Sequence, residues 1–210
     1  MSNDLDKVRY SHAGHDFHFL WTARRALKLL HPKSDLVAIS IEGISTNDSS
    51  KDEEGLLSVD TAEYYGSEKI EDAKKIKYFQ LKYSTTAPEK EWLVAELSPR
   101  KKGLSKGTIV SFSKNFKENF TKYGEAIVRE KFEYCFVTNR PIDSNIKELL
   151  ALNHQDKSFD ELPKKVQKVY TRLDEDTKLE KEEFRLFLKL LRFMELEDSR
   201  EEQKDRSSTV

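Results

Sequence analysis

The stretch from Lys75 to Ser84 constrains the fold most, because polar and apolar residues alternate along it. The segment Tyr78-Phe79-Gln80-Leu81-Lys82-Tyr83 is also rich in aromatic residues, and this combination predicts a β-strand. Side chains of a strand alternate between its two faces, so Gln80 and Lys82 point the same way, roughly 7 Å apart. Three apolar side chains point the other way and are expected in the core: Phe79, Leu81 and Tyr83.

An acidic residue lies upstream of this strand, in the segment Val59-Asp60-Thr61-Ala62-Glu63. We expect a second strand over about Leu56 to Asp60, with Ala62 to Tyr65 continuing it or turning away. Glu63 is the alternative acidic candidate for this position, but strand alternation places it on the face opposite to Asp60 if the strand continues. A carboxylate from Asp60, an amide oxygen from Gln80 and the ammonium of Lys82 could then converge. Such a group can hold Mg²⁺ and stabilise a phosphate.

The remaining pattern predicts an α/β protein with a mixed sheet of at least four strands. Strands are expected over Leu36–Glu42 and Phe132–Thr138, in addition to the two above. Helices are expected over about Asp16–Leu30, which Pro32 stops, and Thr108–Tyr123. Beyond Ile142 the pattern is helical, with predicted helices at Asn145–Asn153, Ser158–Thr171 and Leu179–Glu195.

Composition excludes several classes of protein. The 210 residues include 37 basic and 38 acidic ones, so any nucleic-acid-binding patch must be local. Cys135 is the single cysteine, which excludes an internal disulfide and fits a reducing cytoplasm; we read its thiol as buried. No apolar run approaches the roughly 18 residues of a membrane span. The chain lacks a GxxxxGK[ST] loop, a CxxC pair and an HExxH motif, which argues against a P-loop nucleotidase or a zinc site.

Two further residues have alternative interpretations. Glu42 ends a predicted strand just before Gly43, where it is either a solvated edge carboxylate or an acid that joins Asp60 at a metal site. His18 lies one residue round from the apolar stripe of the first helix. It is either a packed or surface histidine or a residue near metal or phosphate.

The motif Asp60 … Gln80-Leu81-Lys82 resembles the D…(D/E/Q)xK signature of the PD-(D/E)XK, or restriction-endonuclease-like, nuclease superfamily, and its glutamine resembles the Mrr-like branch. Two other segments carry the resemblance: a helix opening with Gly14-His15-Asp16-Phe17-His18-Phe19-Leu20-Trp21, and a strand ending in Ile39-Ser40-Ile41-Glu42-Gly43. The resemblance covers about residues 10 to 140. The order of elements is similar to nuclease domains at the N-termini of bacterial anti-phage effectors, including those fused to STAND-type NTPases (AVAST).

The resemblance implies a restriction-endonuclease-like αβα sandwich, with a nuclease core at 1–141. The helical pattern predicts a helical extension packed on this core at 142–196, and the charged composition predicts a disordered tail at 197–210. It implies an Mg²⁺-dependent endonuclease for double-stranded DNA, with Mn²⁺ as a substitute. Asp60, Gln80 and Glu42 would hold the metal, and Lys82 would orient water or stabilise charge on the phosphate. A homo-oligomer (dimer or tetramer) and a fused sensor or NTPase module are also expected.

Other interpretations remain open at this point. A basic run, Arg100, Lys101, Lys102 and Lys106, follows the predicted active strand and would either contact DNA phosphates, together with His18, or form a solvated loop. The chain could instead be a catalytically silent module that binds nucleic acid or drives oligomerisation on the same fold. RNA could also replace DNA as the substrate.

Overall fold

The computed structural model describes residues 2–43, 59–100 and 107–195, with side chains described from residue 13 onward. Residues 44–58, which include the beginning of the strand predicted over Leu56 to Asp60, therefore lie outside the described residues, as do Lys101, Lys102, Lys106 and the predicted tail at 197–210. Within those ranges, none of the helices combines the length and hydropathy needed to cross a membrane.

A five-stranded mixed sheet forms the centre of the protein, in the order β1-β2-β3-β4-β5. The strands are β1 (Leu36–Ile41), β2 (Thr61–Tyr65), β3 (Lys75–Lys82), β4 (Phe132–Thr138) and β5 (Leu191–Met194). The first three strands pair antiparallel, whereas β3, β4 and β5 run parallel. The carboxyl ends of β1, β3, β4 and β5 therefore meet the start of β2 at one edge of the sheet, called here the Lys82 edge.

Helices pack on both faces of this sheet. Helix α1 (Ser2–Ala26), followed by a 3₁₀ turn at Leu27–Leu30, covers one face. Its residues Phe17 and Trp21 form a small apolar cluster with four strand residues, namely Phe79, Leu81, Cys135 and Val137. The other helices are α2 (Val94–Leu97), α3 (Thr108–Lys131, interrupted at Gly124), α4 (Ser144–His154), α5 (Lys164–Thr177) and α6 (Lys181–Leu190).

The larger hydrophobic core lies on the opposite face of the sheet. There the rings of Tyr78, Tyr134 and Phe136 pack with buried residues of the later helices, among them Phe112, Phe116, Ile146, Leu149, Val166, Phe184 and Phe187. The alternation predicted for β3 is confirmed, because Phe79 and Leu81 face α1 while Tyr78 faces this second core. Cys135 is buried as predicted, and its burial raises the pKa of the thiol to about 12.

Four sequence-based boundaries were wrong. The helix predicted over Ser158–Thr171 lies instead at Lys164–Thr177, after a 3₁₀ turn at Phe159–Glu161. Helix α1 begins at Ser2 rather than near Asp16. Asp60 stands just before β2, not at the end of a strand. The helix predicted over Leu179–Glu195 spans only Lys181–Leu190, after which the backbone becomes extended at Leu191 and forms β5 beside β4. Pairing with a strand that is distant in sequence thus outweighed the local helical pattern.

Candidate active site

The candidate site forms where β2 and β3 stop pairing, at the Lys82 edge. The last backbone hydrogen bond between the two strands runs from the Asp60 amide to the Phe79 carbonyl oxygen, at 2.9 Å. Beyond it, side chains take over as hydrogen-bond partners of the next peptide groups. Oδ2 of Asp60 accepts from the Leu81 amide at 2.6 Å, and Nε2 of His18 lies 2.8 Å from the Leu81 carbonyl oxygen. Because a carbonyl oxygen only accepts, Nε2 must carry the proton.

The structure brings Asp60 alongside Gln80 and Lys82. The amide that Asp60 binds belongs to Leu81, the residue between them, so the carboxylate lies against the strand that carries both side chains. Asp60 and Gln80 are half-buried, and Lys82 is exposed. Oδ2 of Asp60 already accepts this hydrogen bond, so Oδ1 is the oxygen left to bind a ligand. Asp60, Gln80 and Lys82 thus all lie at the Lys82 edge, and the Asp60 carboxylate binds the backbone between the other two residues.

Gln80 carries an unusual feature for a half-buried amide. Among the described residues, its Oε1 is buried and accepts no hydrogen bond. A buried acceptor left without a partner costs roughly 1–3 kcal/mol. An oxygen in this state suits a hard cation or its water ligands, because Mg²⁺ prefers oxygen donors. The donor chemistry therefore fits the Mg²⁺ that the motif implies.

Glu42 reaches the same edge through its backbone. Its amide donates to the Asp60 carbonyl oxygen at 2.7 Å, which places the two residues side by side, one just after β1 and the other just before β2. Its φ of 54° is in the left-handed region, which residues other than glycine rarely adopt, and its side chain is exposed. Across residues 2–43, 59–100 and 107–195, no group of three or more His, Cys, Asp or Glu residues could hold a metal. A cation here would consequently rely on the Gln80 amide, on water or on substrate oxygens.

His18 is a half-buried histidine whose ring supports the site from α1. Burial lowers its pKa; nearby Asp60 opposes this effect, and the positive charges of Lys82 and His15 reinforce it. His18 is therefore neutral at physiological pH, in agreement with the tautomer that its bond to Leu81 requires. The same helix is fixed to β2 by a bond of 2.7 Å between the Thr22 and Thr61 hydroxyls. Direct binding of DNA by His18 stays a prediction.

Glu63, three residues after Asp60 and within β2, occupies a different environment. It faces α1, as the alternation predicted, and it is fully buried. Its carboxylate accepts from Nε and Nη2 of Arg25, the latter at 2.8 Å, and from the Tyr65 hydroxyl at 2.6 Å. The Arg25 guanidinium also lies over the Trp21 ring, 5.0 Å from its centroid. Sequence reasoning missed this cluster, in which the arginine comes from the last turn of α1.

The basic run after β3 is represented here by Arg100 alone. Its guanidinium binds two carboxylates of α5, Asp176 at 2.6 Å and Glu175 at 2.9 Å. The side chain remains about half exposed. Arg100 is thus anchored to a helix on the second face of the sheet, and its predicted contact with DNA is untested.

No protein-family model and no curated protein matches the chain. Function must therefore be inferred from the geometry at the Lys82 edge and from the resemblance carried by the motif.

Proposed function

We propose that the chain is a metal-dependent endonuclease domain of the restriction-endonuclease-like type, acting on double-stranded DNA. One observation carries the proposal: the Asp60 carboxylate binds the peptide amide that lies between Gln80 and Lys82. The arrangement of three antiparallel strands followed by parallel strands, with α1 on one face and α3 to α6 on the other, is compatible with the αβα sandwich of that superfamily.

Asp60 and Gln80 are the residues proposed to hold Mg²⁺, with Glu42 contributing from the end of β1. Mn²⁺ offers the same coordination chemistry as a substitute. When bound, the metal polarises the phosphodiester and lowers the pKa of a water ligand. The small number of anionic donors agrees with magnesium sites that are completed by water and substrate phosphates.

Lys82 is the residue proposed to act on the substrate directly. Its ammonium is exposed at the edge, on the strand whose amide binds Asp60. From there it can orient the attacking water or stabilise the negative charge that develops on the phosphate. His18 acts through the Leu81 carbonyl oxygen and fixes the backbone that joins Gln80 to Lys82.

Several properties are proposed on the resemblance alone. Cleavage of both strands of a duplex calls for two such sites, so the active form would be a homo-oligomer. The domain would serve as the effector of an anti-phage defence protein and be fused to a sensor or NTPase module. RNA remains an alternative substrate.

A catalytically silent binding module is the second candidate. It is favoured by the lack, within the described ranges, of any cluster of three acidic, histidine or cysteine ligands. Such a module would bind nucleic acid or assemble into oligomers without cutting, and it would do so equally well without a divalent cation.

Plasmid cleavage separates the two candidates. We expect the full chain to linearise supercoiled DNA in Mg²⁺ and not in EDTA, with a rate that rises steeply with protein concentration if two sites must assemble. Lys82→Ala should lower the rate by about a hundredfold or more, whereas Lys33→Ala, at an exposed position remote in sequence, should not. Binding without cleavage, unchanged in Lys82→Ala, would instead establish the silent module.

A further inference from the structure

A groove along α5 is a second place where the protein presents a coherent set of binding groups. Its volume is about 510 Å³, within the range of small-molecule sites. One stripe of α5 supplies Lys164, Gln167, Lys168 and Thr171, and the 3₁₀ turn before the helix supplies Phe159. Residues spaced three and four apart share a helix face, which explains why these side chains line one groove.

Phe159 gives the groove an aromatic surface that is both exposed and held in place. Its side chain is 39% exposed, which is unusual for phenylalanine. The ring packs edge-on against Tyr170 with centroids 5.3 Å apart, and Tyr170 packs against the buried Phe184 at 5.0 Å. The Gln167 amide also donates to the Phe159 carbonyl oxygen at 3.1 Å. The exposed ring is therefore a rigid platform on which a planar group can stack.

The charges that line the groove are predominantly positive. Four cationic residues face one carboxylate, Glu175. Two of the four are already committed, because Arg100 pairs with Glu175 and Asp176, and Arg172 donates to the Ser98 carbonyl oxygen at 3.0 Å. Within the part of the chain described, the other two, Lys164 and Lys168, form no ion pair. Two uncompensated lysines beside an exposed ring call for a ligand that is anionic and aromatic at once.

We propose that the α5 groove binds a phosphorylated nucleotide unit, supplied either as a free nucleotide or as a residue of a single-stranded nucleic acid. The base stacks on Phe159, and its phosphate groups contact Lys164 and Lys168. The Gln167 carbonyl oxygen and the Thr171 hydroxyl are available for the base edge or the sugar, since the Gln167 amide nitrogen is used by Phe159. None of these residues belongs to the Lys82 edge, so the groove does not depend on the cleavage proposal.

Binding to the full chain in EDTA, where no Mg²⁺-dependent cleavage occurs, tests this site. One arm uses N-methylanthraniloyl-ATP and the other a fluorescein-labelled, twelve-nucleotide thymidine strand, both followed by fluorescence anisotropy. We expect one or both probes to bind, and the arm that binds more tightly identifies the source of the nucleotide. Phe159→Ala should weaken binding by about tenfold, the scale of one stacked base. Phe159→Tyr, which keeps the ring, should restore it.

The lysines are tested against a matched control on the same helix. Lys164→Glu and Lys168→Glu should each weaken binding severalfold, whereas Lys165→Glu, an exposed neighbour outside the groove lining, should not. Several results would overturn the proposal: neither probe binds, Lys165→Glu weakens binding as much as Lys164→Glu, or Phe159→Ala has no effect. Equal competition by tripolyphosphate or by an acidic peptide would also overturn it, since neither offers a base.

Discussion

Two carboxylates three residues apart, Asp60 just before β2 and Glu63 within it, have opposite surroundings. Glu63 is fully buried, and both of its oxygens are taken by Arg25 and Tyr65. Asp60 is only half-buried, and one of its oxygens accepts a hydrogen bond from the Leu81 amide. The adjacent strand β3 carries the exposed Lys82 and also Gln80, whose buried Oε1 accepts no hydrogen bond from the residues that the structure describes.

The comparison indicates how the fold separates a structural acid from a candidate functional one. Strand alternation sends Glu63 under α1, where a charge must be paired to be tolerated. Asp60 instead sits where β2 and β3 stop pairing, at an edge that solvent and substrate can reach. Whether protein groups already bind both oxygens of a carboxylate is thus a better guide to its role than its position near the motif.

The largest effect is expected from Asp60→Asn on cleavage. The asparagine oxygen can still accept from the Leu81 amide, so the backbone is retained while the charge is removed. We expect the cleavage rate to fall about a thousandfold, with a free energy of unfolding within about 1 kcal/mol of the parent. Asp72→Asn, in the exposed turn between β2 and β3, is the control and should cleave normally. Full cleavage activity in Asp60→Asn would show that the Asp60 carboxylate is not needed for cleavage, and Asp60 would then be no more functional than Glu63.

Glu63→Gln should show the reverse behaviour. Removing this charge leaves the Arg25 guanidinium beneath the sheet without its partner, which destabilises a protein by roughly 3–5 kcal/mol. Urea unfolding measures the loss, and Glu130→Gln on the exposed side of α3 should change stability by no more than about 0.5 kcal/mol. If Glu63→Gln proved as stable as the parent but inactive, Glu63 would replace Asp60 as the candidate functional acid.

A smaller effect follows from the lowered pKa of His18. Above pH 6.5 the imidazole is neutral in both the folded and the unfolded chain, so it contributes no pH dependence to stability. As the pH falls through 6.5, the unfolded chain takes up a proton first, and stability is lost until the folded pKa is passed. His18→Gln keeps a donor for the Leu81 carbonyl oxygen and removes the titration.

Unfolding free energies at pH 7.5 and pH 5 measure this difference. The parent should lose more stability than His18→Gln between the two values, whereas His31→Gln, at an exposed position, should behave like the parent. Equal losses of stability in the parent and in His18→Gln would mean that folding does not lower the pKa of His18.

The sequence predicted the sheet well where the strand pattern was local, through alternation in β3 and through a nearly continuous apolar run in β4. It failed at β5, because Leu191-Arg192-Phe193-Met194 continues the helical pattern of α6 and becomes a strand only through its pairing with β4. It also failed at the start of α1, where Gly14 suggested a boundary. A glycine inside a helix costs about 1 kcal/mol, and the helix runs through it from Ser2.

At the candidate site, residue types and their order were enough to single out Asp60, Gln80 and Lys82. Two supporting contacts could not be predicted, namely His18 with Leu81 and Arg25 with Glu63, because each joins α1 to a strand that is distant in sequence. Their existence depends on how α1 lies across the sheet, and this is a property of tertiary packing. Only that packing shows that both oxygens of Glu63 are hydrogen-bonded, whereas one oxygen of Asp60 is.

Mapping the metal by iron-dependent backbone cleavage tests the proposed site most directly. Fe²⁺ replaces Mg²⁺ in the full chain with bound DNA, and ascorbate with peroxide then generates radicals that cut the polypeptide near the ion. We predict cuts close to Asp60 and between Gln80 and Lys82, suppressed by excess Mg²⁺ and lost in Asp60→Asn. Cuts confined to other parts of the chain, or cuts near Asp60 that excess Mg²⁺ leaves unchanged, would contradict a magnesium site at the Lys82 edge.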